Sequence, residues 1–264
     1  MSVSIITVVY NGLPFLSEAI ESVINQEYEG LEYIVIDGQS TDGSLDVIKS
    51  YGQSIHKWVS EPDEGIYDAM NKGISMASGE IIGILNADDV LEPGILPEIA
   101  ESFEKTNADY LYGNVDRITK RGVKYGSIKS LPKDRIPAGK YRQVPFPHPS
   151  LYVKKRVFDK IGKYDTSFKL NADYDFILRI LSSDFKSVYL DKSIARYRDG
   201  GKSSGIETFF ERKRVWKKHG VSFIRREYFA LSSALKLLLY KLFPASLNKF
   251  FKKFRSQSVQ VMDK

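Results

Sequence analysis

The sequence predicts an α/β protein built on an open, mostly parallel sheet with helices on both faces and a helical tail at the C-terminal end. Three observations predict it. Strand-like and helix-like periods alternate from Ser4 to Leu85. The strands are apolar on both faces, as central parallel strands covered on either side must be. Each strand ends abruptly in polar or acidic residues, and ligands of such sheets bind beyond the carboxyl ends of the strands.

Ser4-Ile5-Ile6-Thr7-Val8-Val9 is the first strand. The helix after it repeats Leu16, Ala19, Ile20, Val23 and Ile24 at the helical spacing, with Pro14 suited to a first turn. Glu32 to Ile36 is the second strand, and the turn Asp37 to Gly43 leads into a helix carrying Leu45, Val47, Ile48 and Tyr51. Ser54 to Val59 restores strand character, Ile66 to Met76 is a short helix, and Glu80 to Leu85 is a fourth strand ending in Asn86-Ala87-Asp88-Asp89. This alternation implies right-handed crossovers. A further strand is expected over Asp109 to Val115, then loops or edge hairpins as far as Ser150. Helices follow near Lys154 to Ile161 and from Ala172 to Leu181, and then a strand at Ser187 to Leu190. With no internal repeat and no flexible linker, the economical division is a domain over residues 1–205 and a helical tail over 206–264.

Composition removes several classes of function. The 264 residues are 42% hydrophobic and 27% charged, a globular balance, and there is no cysteine for a zinc-thiolate site, an iron–sulfur cluster or a cysteine nucleophile. The three histidines, His56, His148 and His219, lack metal-ligand spacing. Any metal must therefore sit on oxygen. Net charge is +6 but polarised: −14 over residues 1–100, +9 over 101–210 and +11 over 211–264. A basic protein invites a nucleic-acid reading, yet no motif of that kind accompanies the charge, and no nucleic-acid partner is expected. The N-terminus lacks a basic region followed by a signal-length apolar run, so a cytoplasmic start is expected. The longest nearly apolar stretch, Phe229 to Phe243, is 15 residues and is short of the roughly 20 that a membrane-spanning helix needs.

The carboxylates gather on one rim. Asp37 follows strand two, Asp63 strand three, and Asp88 and Asp89 strand four, while Tyr10 and Asn11 close strand one. Adjacent carboxylates past a buried strand repel unless a cation neutralises them. With oxygen ligands only, Mg2+ or Mn2+ is the expected cofactor, shared with substrate phosphates. Asp37 and Asp63 can accept hydrogen bonds from a base or a ribose, and the implied ligand is a nucleoside diphosphate.

Several segments resemble family 2 glycosyltransferases of the GT-A fold. They are Thr7 to Asn11, Glu32 to Ser44, the run Ser60-Glu61-Pro62-Asp63-Glu64-Gly65-Ile66-Tyr67-Asp68-Ala69-Met70-Asn71-Lys72-Gly73, Gly79-Glu80, and Leu85 to Asp89. The resemblance continues through His148-Pro149-Ser150, Asn171 to Arg179 and Gly200 to Ser203, over roughly residues 3–205. It points to bacterial enzymes that build capsule, O-antigen and exopolysaccharide units. It implies nucleotide contacts at Thr7, Tyr10, Asn11, Asp37 and Asp63, with weaker ones at Asp68 and Lys72, which an i,i+4 salt bridge explains equally well. Asn86-Ala87-Asp88 stands where the family has D-x-D, with Asn86 replacing the first Asp and Asp88 in the place of the metal ligand. Asn86 and Asp89 are assigned to donor and diphosphate, together with Arg198 and Lys202 on a loop expected to fold over the diphosphate.

Asp173 holds the position of the catalytic base, and Ala172 replaces the acidic neighbour common there. A helix N-cap is the competing role for Asp173, and Asp175 is expected to pair with Arg179. The implied reaction is inverting transfer from a nucleoside-diphosphate sugar, UDP favoured, to a glycan or a polyprenyl-diphosphate-linked acceptor. A sugar-nucleotide pyrophosphorylase and a non-catalytic subunit of a glycan assembly complex are the alternatives. The former wants a glycine-rich basic loop that Tyr10-Asn11-Gly12-Leu13-Pro14 does not supply.

In the tail, Tyr228, Leu231, Leu235, Leu238, Leu239 and Leu242 form a stripe, and Leu247, Phe250, Phe251 and Phe254 continue it beside Lys249, Lys252, Lys253 and Arg255. Such a basic amphipathic pattern suits the inner face of the cell membrane. A helix packed on the domain, or on a second copy in a homo-oligomer, is the other reading.

Overall fold

The computed structural model describes residues 1–136, 144–198, 200, 206–229 and 231. The chain divides into two compact units, Met1–Glu211 and Arg212–Lys264. In order, the elements are β1 (Val3–Val9), α1 (Leu13–Ile24), β2 (Leu31–Asp37), α2 (Ser44–Ser50), β3 (Lys57–Ser60), α3 (Ile66–Met76), β4 (Ile81–Asn86), β5 (Val90–Leu91), α4 (Ile95–Thr106), β6 (Tyr110–Ile118), β7 (Lys124–Ile128), β8 (Tyr152–Lys154), α5 (Lys155–Ile161), α6 (Ala172–Leu181), β9 (Ser187–Arg198) and α7 (Ile206–Lys218).

The described strands form one sheet in the order β3-β2-β1-β4-β8-β6-β9-β5, with β7 added to β6. β1 runs parallel to β2 and β4, and β2 parallel to β3. Three-residue β8 is antiparallel to both β4 and β6, so it inverts the direction once on each side. The expected mostly parallel sheet is thus a mixed one whose first four strands are parallel.

All seven residues of β1 are buried, because helices cover both faces of the sheet. On one face Val3, Ile5, Val9, Tyr33, Val35, Ile81 and Leu85 pack with Leu16, Ile20 and Val23 of α1 and with Ile95, Leu96, Ile99 and Phe103 of α4. Fully burying each such side chain is worth about 1.5–3 kcal/mol. On the other face α3 lies close to β1, since a Cβ on Gly73 would collide with the side chain of Ile6. The expected third strand begins later than its apolar residues suggest, because Gly52–Ser54 is a 3-10 turn and pairing with β2 starts at Lys57. In the second unit the ring of Trp216 meets that of Phe229 edge-on at 5.3 Å, and Lys213 pairs with Glu227 at 2.6 Å. Among the described residues no helix is long and apolar enough to cross a membrane. The Leu/Phe stripe and its Lys249, Lys252, Lys253 and Arg255 lie outside the described residues.

Candidate functional site

Strand register builds the rim. Val9 pairs with Asp37, Asp37 with Ser60, and Val8 with Asn86, so the carboxyl ends of β3, β2, β1 and β4 stand side by side. The loops after β1 and β2 are stitched together there. Asn11 donates its N–H to Ser40 Oγ at 2.8 Å and accepts Thr41 N–H on Oδ1 at 2.9 Å, while Gly12 N donates to Ser44 Oγ at 3.0 Å. Asn11 (φ 53°) and Gln39 (φ 63°) both hold the left-handed conformation. Such conformations cost of order 1–3 kcal/mol each and concentrate at functional sites.

Tyr10 stands in solvent at 61% exposure, close to Asp63. A Cβ on Gly38 would strike Asp63 Oδ2 and would lie 3.5 Å from Tyr10 Cδ2, so these three residues share one slot. Asp63 Oδ1 also accepts Gly65 N–H at 2.8 Å, just ahead of α3. Asp37, expected in contact with the nucleotide, is fully buried and accepts hydrogen bonds from Ser40 N, Ser40 Oγ and Ser60 Oγ. It shapes the rim from beneath. Thr7 is likewise placed in the core, where its hydroxyl accepts from Tyr33 at 3.0 Å; mid-strand burial removes it from the nucleotide surface.

The end of β4 is the most strongly polarised part of the rim. Asp89 is fully buried and receives Arg198 N–H at 3.1 Å and Asn86 Nδ2 at 3.2 Å. Burial and the charge of neighbouring Asp88 push its carboxyl up to about 8. Burial also raises Asp88, against the opposing pull of Arg198. Asn86 Oδ1 is buried with no hydrogen-bond partner. Arg198 is not the free charge of a loop: it ends β9, is 2% exposed, and spends its guanidinium on the carbonyls of Asp88, Thr119 and Lys120 and on Glu18. Asp89 and Arg198 therefore brace the turn from behind, and burial keeps both from reaching a diphosphate. Lys202 lies outside the described residues.

The second half of the domain reaches this rim through α3. Tyr67, in the first turn of α3, donates its hydroxyl to Asp173 Oδ1 at 2.8 Å. Tyr174 N–H reaches the same oxygen at 2.8 Å. The residue preceding α6 is Asn171, so Asp173 lies inside the first turn and is not the N-cap. Asn71 and Tyr164 exchange hydrogen bonds, Nδ2 to the carbonyl and backbone N–H to Oδ1, and Lys169 Nζ donates to the carbonyl of Glu64 at 2.8 Å. Asp175 is fully buried and pairs with Arg179 at 2.9 Å, whose guanidinium also holds the carbonyls of Ile161, Gly162 and Lys163. Lys72 bonds Glu61 at 2.9 Å, Asp68 at 3.6 Å and the Pro62 carbonyl, fastening α3 to the loop after β3. Residue spacing alone did not single out Tyr67 and Tyr164, because the link to Asp173 spans 106 residues and no periodicity reports it.

Whether these residues suit a divalent cation is decided by their donors. The buried unpartnered oxygen of Asn86 and the carboxylate of Asp88, two residues further along the same turn, are hard-oxygen donors of the kind Mg2+ and Mn2+ take. No group of three or more His, Asp or Glu converges among the described residues. A cation here would take few protein ligands and would share its coordination with substrate oxygens, the habit of Mg2+. The residues fit.

Comparison with known proteins agrees with this geometry. An uncharacterized glycosyltransferase of Mycobacterium tuberculosis is 38% identical over 183 residues, spanning 67% of this chain and 68% of that protein. A PGL/p-HBAD biosynthesis glycosyltransferase of Mycobacterium bovis BCG is 29% identical over 213 residues, 77% of this chain and 79% of that one. The crystal structure of S. aureus TarS 1-349 in complex with UDP shares the fold at TM-score 0.67 and 18% identity, covering 92% of this chain and 73% of that one. GalNAc-T7 with UDP, GalNAc and Mn2+ matches at TM-score 0.65 and 18% identity over 82% of this chain and 48% of that one. The sheet is thus the GT-A sheet. The family model described as Glycosyl transferase family 2 matches residues 4–162, and the chain belongs to that family of glycosyltransferases.

Proposed function

We propose that this glycosyltransferase moves a sugar, with inversion, from a UDP-sugar to a glycan or lipid-linked acceptor in surface polysaccharide or glycolipid synthesis. The observation that carries the reading is the unpartnered Asn86 Oδ1 next to Asp88 at the end of β4, a pole for cation and diphosphate. UDP is favoured because TarS and GalNAc-T7, which share the fold, are each described with UDP, and a glycolipid acceptor because a relative is named for PGL/p-HBAD biosynthesis.

Tyr10 and Asp63 form the slot for base and ribose, with Asp37 and Asn11 holding the loops that frame it. Asp88, with Asn86 beside it, would hold Mg2+ or Mn2+, which supplies positive charge to the departing diphosphate when bound. Asp173 Oδ2 takes the proton of the acceptor hydroxyl as the acceptor oxygen bonds to the anomeric carbon and the bond to the diphosphate breaks. Asp68 and Lys72 support the slot by fixing the entry to α3. The basic Leu/Phe tail is assigned to the anionic inner face of the membrane, and the catalytic unit to residues 1–205.

The test is a thermal-shift panel of UDP, GDP and dTDP with and without Mn2+. UDP with Mn2+ should stabilise most, by about 2.7 kcal/mol at a hundredfold excess over Kd. Equal shifts for all three nucleotides, or none, would remove the donor reading. For the tail, neutralising Lys249, Lys252, Lys253 and Arg255 should weaken flotation with anionic vesicles, at about 1 kcal/mol per charge. Indifference of the intact chain to such vesicles would sink the membrane role.

A further inference from the structure

We infer that Tyr67 is the positioning residue of the base, its hydroxyl holding Asp173 Oδ1 so that Oδ2 is presented to the acceptor. This rests on the reading of Asp173 as base, and it assigns a role within that site to a residue on the opposite half of the domain. Tyr67 is 7% exposed, and its ring lies 5.7 Å from that of Tyr164, which in turn packs 4.9 Å from Phe176 of α6. A phenylalanine would fill the same space. What the hydroxyl adds is one hydrogen bond, 2.8 Å long, to a carboxylate 106 residues away.

That bond divides the two carboxylate oxygens. Oδ1 accepts both Tyr67 Oη and Tyr174 N–H, whereas no described donor reaches Oδ2. Fixing one oxygen sets the plane of the carboxylate and leaves the other to take a proton. A base has to be both ionised and oriented, and a hydrogen bond donated to the charged form favours ionisation. Burial and the charge of Asp173 raise the Tyr67 hydroxyl far above its ordinary value, so it remains a donor throughout the working range. The other groups facing the carboxylate cannot replace it. Tyr164, on the connection between α5 and α6, is also raised by burial and by Asp173, but its hydroxyl is engaged with His148 Nε2 at 2.8 Å. His148, on the short turn before β8, is lowered by burial and is neutral at pH 7. Among the described side chains, Tyr67 alone hydrogen-bonds Asp173.

The decisive variant is Tyr67→Phe in the full chain, assayed over ranges of UDP-sugar donor and acceptor concentration. Turnover should fall by about tenfold, the worth of a hydrogen bond to a charged group, with donor affinity unchanged. The loss should fall on kcat, with the donor KM near wild type. In the Asp173→Asn background the same change should cost nothing more, because Tyr67 acts through that carboxylate. A thermal melt within a few degrees of wild type shows that the fold is kept. A full additional loss in the double variant, or a loss carried by donor KM instead of kcat, would overturn the role of Tyr67. Unaltered turnover in Asp173→Asn alone would instead overturn the reading of the base, which keeps the two failures apart.

Discussion

The two ends of the parallel strands both carry partly or fully buried acids, and only one end leaves them without enough donors. At the amino end, Glu32 of β2 accepts Ser4 Oγ, Lys57 Nζ at 2.6 Å, and Ser78 through both N–H at 2.8 Å and Oγ at 2.7 Å. Burial opposes its charge, but these donors outweigh it and bring the carboxyl down to about 2. At the carboxyl end, Asp88 and Asp89 are adjacent and both raised, the nearest guanidinium is committed to carbonyls and to Glu18, and Asn86 Oδ1 has no partner. A carboxylate whose oxygens are filled by donors is structural. One with a neighbouring like charge, next to an amide oxygen without a partner, is a candidate for ligand binding.

The largest test of this contrast is Asp88→Ala. Transfer should be abolished and donor binding should lose its dependence on Mn2+ or Mg2+, as calorimetry with and without metal would report. Wild-type affinity with intact metal dependence would make the carboxyl end no different from the amino end. Next in size is Asp173→Asn, which keeps donor binding and lowers the transfer rate by about 10² to 10⁴. Because Asn171 occupies the cap position, the melting temperature should hardly move. A falling melting temperature with unchanged turnover would return Asp173 to a structural role.

Arg198→Met separates bracing from chemistry at the same end. Removing a buried cation that serves three carbonyls and Glu18 should destabilise the fold by roughly 3–5 kcal/mol. The metal requirement of donor binding should survive in whatever folds, measured below the lowered melting temperature. Metal-independent binding in that variant would mean that Arg198 serves the diphosphate directly.

Much of this was legible in the sequence where the signal is long or local. The strands β1, β2 and β4 are continuous apolar runs, and α3 and α6 show helical spacing, so elements and order could be read directly. The sequence reading assigns no element to Ile95–Thr106, although Ile95, Leu96, Ile99, Ala100 and Phe103 make a helical stripe there; Pro97 and the preceding Pro93-Gly94 obscure it. Two-residue β5 and three-residue β8 are too short to show a period, and they exist because longer strands offer edges to pair with. The acids of the rim were legible as a group, since each ends a strand. Which of them face solvent was not: the burial of Asp37 and Asp89 depends on Ser60 and Arg198, one strand and 109 residues away respectively.

The smallest effect belongs to the amino end, where Glu32→Gln should leave transfer at neutral pH untouched. Gln keeps the shape but cannot carry the charge that Lys57 and the two serines meet, so stability should drop by on the order of 2 kcal/mol at pH 7. The sign with pH follows from the direction of the shift. Glu32 titrates near 2 when folded and at an ordinary carboxylate value near 4.3 when unfolded, so its contribution is complete above about pH 5 and is lost as pH falls towards 2. Wild type should therefore lose stability more steeply than Glu32→Gln across that window, and the two unfolding curves should converge at its acid end. Lys57 is 41% exposed and regains water in the variant, which keeps the loss modest. Parallel acid limbs for the two proteins would show that the network at the amino end does not hold Glu32 ionised. A loss of transfer at pH 7 with the fold intact would show something larger, that the two ends of the sheet are coupled.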